Sequence, residues 1–100
     1  MEFEWDQAKS DRCLRQRGFA FADVLSAFTD PGHLIEADIR FDYGEERYQL
    51  YGHVKGRLYV IVFTRLGSAY RIISARKANE REQSHARAAG TWWIHGRNHE

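Results

Sequence analysis

Apolar and polar residues alternate over Glu2-Phe3-Glu4-Trp5, which predicts a short, half-buried opening strand. Asp6 then offers an N-cap for a helix running to about Arg17, with Gly18 as its stop. That helix is strongly charged and only weakly amphipathic. Phe21, Val24, Leu25 and Phe28 recur at spacings of three and four, so a second helix with one apolar face is expected at about Ala22–Phe28. The turn Thr29-Asp30-Pro31-Gly32 ends it. His33 to Ile39 alternates in part and leads to a polar loop through Asp42-Tyr43-Gly44-Glu45. The pattern then changes to hairpins. Arg47 to Val54 alternates around Tyr48, Leu50 and Gly52, Lys55-Gly56 turns the chain, and Arg57 to Arg65 is its most apolar run. Because Leu58 to Phe63 is apolar at every position, both faces of that strand are expected to be covered, as at the centre of a sheet. A turn near Leu66-Gly67-Ser68 leads into Ala69 to Ala75. Asn79, with Glu82 three residues later, opens a last helix to about Ala89, before Gly90. The order β-α-α-β-β-β-β-α predicts an α+β fold: an antiparallel sheet of four to five strands, two N-terminal helices and one C-terminal helix.

One hundred residues without linker, repeat or low-complexity segment make one domain, placed at residues 1–90, with a tail at 91–100 that carries Trp92-Trp93-Ile94. No run approaches the roughly 20 apolar residues of a membrane span, and the acidic start lacks the pattern of a signal peptide. A cytoplasmic protein is expected. Its single cysteine, Cys13, allows neither an internal disulfide nor a cysteine-rich zinc site. The formal net charge of +1 hides a division along the chain. Residues 1–54 hold 6 Lys and Arg against 11 Asp and Glu, a net of −5, and residues 55–100 hold 9 against 3, a net of +6. Such a division suits a polyanion-binding surface, an oppositely charged partner or self-assembly.

Arginine is the main chemical signal. Arg57, Arg65, Arg71, Arg76, Arg81 and Arg87 fall within about thirty residues, and a guanidinium matches phosphate oxygens while staying charged at any working pH. Tyr59 and Tyr70 interleave with them as stacking platforms for bases. In a regular strand Arg71 and Arg76 point to opposite faces, so Arg76 is expected at the strand-to-helix junction, where direction can change. Of five histidines, His53 is the best placed for acid/base work, on the strand before the central one. His85 suits the basic face of the last helix. His95 and His99 have helical metal-ligand spacing, but the tail's glycine and asparagine argue against a helix, and no metal site is expected. Glu80 lies within a turn of Arg76 and is placed to hold it, while helix capping accounts for Glu82. Cys13 reads as a small buried residue. Exposed, Trp92 and Trp93 would mark a protein interface.

Phe3-Glu4-Trp5-Asp6 with Lys9, Gly44-Glu45-Glu46-Arg47-Tyr48, Gly56-Arg57-Leu58 with Val60, Val62 and Thr64, and above all Arg71-Ile72-Ile73-Ser74-Ala75-Arg76-Lys77-Ala78 resemble the BrnT toxins, in order, over about residues 3–83. The resemblance implies a RelE-like α+β ribonuclease toxin of a type II toxin–antitoxin pair that halts translation. It implies no cofactor. The implied partner is a BrnA-like ribbon-helix-helix antitoxin, which alone would meet operator DNA, in a toxin–antitoxin heterotetramer. On this reading Arg71 and Arg76 stabilise the phosphate, His53 helps with protons and Glu80 orients. Arg57, Arg65, Tyr59, Lys77 and Arg81 bind the RNA strand, and Trp92 and Trp93 meet the antitoxin, which is expected to cover Arg71 and Arg76. The chain departs from the family pattern at Cys13, where an Asn is usual, and at Gln16-Arg17-Gly18, where Lys-His-Gly is usual. Two rival readings stand beside this one. A binding module would partner an antitoxin or hold RNA without cutting it, and an assembly protein would pair its opposite charges between subunits.

Overall fold

The computed structural model describes residues 1–39 and 44–90. The elements run β1 (Glu2–Trp5), α1 (Gln7–Arg17), a 3₁₀ helix (Phe21–Thr29), β2 (Leu34–Ala37), β3 (Tyr48–Val54), β4 (Arg57–Leu66), β5 (Ala69–Lys77) and α2 (Glu80–Ala88). The predicted order holds. The Asp6 carboxylate accepts the Ala8 N–H at 2.9 Å and Gly18 closes α1 at φ 87°, so both ends of this charged helix are capped by local chemistry. The second helix is 3₁₀ rather than α. Its first residue is pinned from outside, because the Phe21 N–H donates to the buried Ser10 hydroxyl of α1 at 3.0 Å.

The five strands form one sheet in the order β1-β5-β4-β3-β2. The hairpin strands pair antiparallel, but β1 pairs parallel with β5, so the sheet is mixed where an antiparallel one was expected. Sequence spacing fixes neighbours joined by a tight turn; the place of β1 depends on a closure across more than sixty residues, which no local signal reports. β4 lies at the centre, as its continuous apolar run requires.

One face of the sheet carries the main core. Leu50, Ile61, Phe63, Ile72 and Ala75 pack against Phe21, Val24, Ala27 and Phe28 of the 3₁₀ helix and Cys13 of α1. The other face holds a smaller cluster of Tyr51, Leu58 and Val60 under Ala86 of α2. Gly52 belongs to the first contact. A Cβ there would sit 2.5 Å from the Ala27 carbonyl oxygen, so only glycine lets the 3₁₀ helix come this close to β3.

β5 is not regular. Its register against β4 slips between Val62 and Phe63, with Val62 opposite Ser74 and Phe63 opposite Ile72, which leaves Ile73 as a bulge. An odd separation across one extra residue becomes even, so Arg71, opposite Thr64, and Arg76, opposite Val60, share the α2 face. Opposite faces were expected of a regular strand.

Candidate active site

His53 stands where β3 outruns its neighbour. β2 pairs no further than Leu34 opposite Tyr51, and beyond that point a side chain takes the place of a strand. The buried Asp30 carboxylate accepts the His53 N–H at 2.7 Å and lies 2.9 Å from the ring Nδ1, while its other oxygen accepts the Gly32 N–H at 3.1 Å. Burial pushes this carboxyl up, but the N–H groups of His53 and Gly32 and the His53 ring outweigh it and hold it below the usual carboxylate range. An ionised Asp30 accepts only, so Nδ1 carries the proton and the basic lone pair of a neutral ring is on Nε2.

In front of this pair is a hollow of about 230 Å³ lined by His53, Arg57, Gln83 and Arg87. Arg57 comes from the start of β4, and one of its N–H groups donates to the Ala78 carbonyl at 2.7 Å. Gln83 reaches the same carbonyl at 3.2 Å, and Arg87, exposed, follows it by one turn of α2. Two guanidinium groups beside an oriented imidazole can bind a phosphodiester and move a proton at it.

Several expected residues lie elsewhere. Arg76 makes a two-pronged contact with Glu82 at 2.5 Å, and Glu82 also accepts the Asn79 N–H at 2.9 Å in the cap of α2. The carboxylate that holds Arg76 is thus Glu82, where Glu80 was expected; Glu80 is exposed on the first turn of the helix. Arg71 pairs with Glu4 of β1 at 3.1 Å and, opposite Thr64 where Arg76 is opposite Val60, stands about 13 Å along the sheet from Arg76. Arg57 and Arg65 occupy opposite ends of β4, about 26 Å apart, with Arg65 lying over the Tyr70 ring at 5.2 Å. The two tyrosines serve the core: Tyr70 stacks on Phe63 with centroids 5.3 Å apart and Tyr59 meets Phe19 edge-on at 5.2 Å. Lys77 ends β5 and Arg81 is on α2, both exposed. Trp92, Trp93, His95 and His99 lie outside the described residues. His85 clasps Glu36 of β2 at 2.8 Å.

Gln83 and Arg87 line the hollow and Asp30 holds its His53, and none of the three was singled out for it. An Asp in front of Pro-Gly usually bonds its own turn, as Asp30 does with Gly32, and the sequence carries no sign that its second oxygen closes on a residue 23 positions away. Arg87 had a weak signal, since it lies four residues after Gln83 and therefore on the same helical face.

At the points of departure from the family pattern, the Arg17 guanidinium donates to the Ala75 carbonyl at 2.9 Å and the Cys13 thiol to the same oxygen at 3.5 Å. Burial raises the thiol's pKa, opposed by the Arg17 charge, which suits a packing role. Comparison with curated proteins returns no match. The family model for the ribonuclease toxin BrnT of type II toxin–antitoxin systems matches residues 5–82, a stretch that includes His53, Asp30 and Arg57. The chain belongs to the BrnT family of ribonuclease toxins.

Proposed function

We propose that this chain is an endoribonuclease that cuts RNA at the His53 hollow and is neutralised by a BrnA-like ribbon-helix-helix antitoxin. The observation that carries the site is the buried Asp30 carboxylate on His53 Nδ1, beside Arg57 and Arg87. A bound phosphodiester presents its non-bridging oxygens to the two guanidinium groups, and the ribose 2′-OH faces His53. Nε2 takes the 2′-OH proton as that oxygen attacks phosphorus; the bond to the 5′-oxygen breaks, leaving a 2′,3′-cyclic phosphate and a 5′-OH protonated by solvent water. Asp30 stabilises the imidazolium that forms. No metal or cofactor enters these steps. On this reading Arg76 and Glu82 fasten α2 over the sheet, while Lys77 and Arg81 flank the strand's path.

The expected physiology follows from the family: cutting RNA in the cytoplasm stops translation, and the antitoxin carries the complex to operator DNA as a heterotetramer. Arg17 favours a second reading, a partner-binding protein that does not cut, because a guanidinium stands where a histidine is usual and is tied to the Ala75 carbonyl. One assay separates them. The purified chain should release cyclic-phosphate ends from single-stranded RNA, and His53→Gln should lower the rate on the order of 10²- to 10⁴-fold with the fold intact. A wild-type chain that leaves RNA whole would establish the second reading, and full activity of the variant would remove His53 from the site.

A further inference from the structure

The most basic helix of the protein lies in its acidic half. Within Gln7–Arg17, α1 carries Lys9, Arg12, Arg15 and Arg17 against the single carboxylate of Asp11, which accepts from Gln7 at 2.9 Å. Beyond Trp5, opposite Ile72, β1 no longer covers the outer edge of β5, and α1 runs beside that edge instead. A groove of about 330 Å³ lies between them, with Lys9, Arg12 and Gln16 along one wall, Ile73 and Ser74 along the other, and Arg17 at its end. The bulge at Ile73 is therefore part of a wall.

We infer that this groove is a second phosphate-binding site, which holds the backbone of single-stranded RNA beyond the cut; the inference rests on the ribonuclease reading above. Three observations carry it. Lys9 and Arg12 are exposed and, among the described residues, have no carboxylate within salt-bridge reach, in contrast to Arg71 and Arg76. They are three positions apart, so both charges stand on one face of the helix, about 4.5 Å apart along its axis. The groove and the His53 hollow are joined by the end of β5: Arg17 is anchored on the Ala75 carbonyl and Arg57 on the Ala78 carbonyl, with exposed Lys77 between them. Three residues of extended chain make that about 10 Å. Cations thus stand on both sides of the end of β5, at the hollow, at Lys77 and in the groove, and a chain of phosphates passing around that end is the ligand whose charge repeats along such a path.

The test is fluorescence anisotropy of a labelled, fully 2′-O-methylated RNA, which cannot be cut, over a range of salt concentrations. The double variant Lys9→Ala/Arg12→Ala should bind on the order of tenfold more weakly at low salt, and the slope of log K against log salt should fall by about 1.4, the contribution of two phosphate contacts on a single strand. Arg15→Ala removes one positive charge from the same helix outside the groove and should change binding less than about twofold. The groove is overturned if the double variant binds as wild type does, if Arg15→Ala weakens binding as much, or if the wild-type chain binds no RNA. A chain that binds through Lys9 and Arg12 yet leaves unmodified RNA whole would overturn the ribonuclease reading and leave the groove standing.

Discussion

At Gly52 and Asp30 a single atom decides what the residue can be. Gly52 is needed for what is absent: the Ala27 carbonyl and Cβ occupy the space a side chain would take, at 2.5 and 3.0 Å. Gly52→Ala should destabilise the protein by about 1–3 kcal/mol, because backbone on both sides has to give, and urea unfolding measures it. Asp30 is needed for what it accepts. Its two oxygens take the N–H groups of Gly32 and His53 and orient the imidazole, so one carboxylate closes a turn, ends a sheet edge and sets a tautomer. The turn was legible in Thr-Asp-Pro-Gly. The other two roles were not, because they depend on which strand end the turn meets.

At the scale of elements, the caps were readable and the attachments were not. Asn79 and Glu82 close the first turn of α2 reciprocally, as their spacing predicts. The same Glu82 carboxylate holds Arg76, so this one residue both starts the helix and fastens it to β5. Glu82→Ala should cost about 1–2 kcal/mol, a fall in Tm of several degrees for a domain of this size, whereas Glu80→Ala should stay within about 0.5 kcal/mol. Thermal melts of the two variants compare them directly, and equal losses would contradict the assignment. The bulge at Ile73 belongs to this scale as well. Nothing in Arg71-Ile72-Ile73-Ser74-Ala75-Arg76 announces an extra residue, yet it turns two arginines onto one face and shapes the wall beside α1.

For the whole molecule, part of the divided charge of the chain is folded onto itself. Glu4 and Glu36 of the acidic half meet Arg71 and His85 of the basic half, and Asp30 meets His53 within the acidic half. What remains exposed includes Arg57, Lys77, Arg81 and Arg87 of the basic half, as the division suggested, and also Lys9 and Arg12 of α1, which it did not. The Asp30 contact also bears on acid stability. Asp30 has its carboxyl pKa lowered by folding, so its contribution is complete above the unfolded value of about 4 and is lost as pH falls through the lower folded value. Stability measured by urea unfolding should therefore decline below about pH 4, and Asp30→Asn should be less stable at neutral pH, by about 1–3 kcal/mol, with a flatter profile in acid. An unchanged acid slope in the variant would assign the decline to other carboxylates.

The sequence by itself determined which segments are helix and strand, the hairpins, the central place of β4, the caps of both α-helices and the family, because each of these is written in neighbours a few positions apart or in a residue string. Tertiary structure alone decided the parallel place of β1, the common face of Arg71 and Arg76, the choice of Glu82 over Glu80, and the meeting of Asp30, His53, Arg57 and Arg87. Those depend on register and on contacts between distant segments. A one-residue slip reverses which face a side chain takes, and no local pattern in this chain encodes that slip.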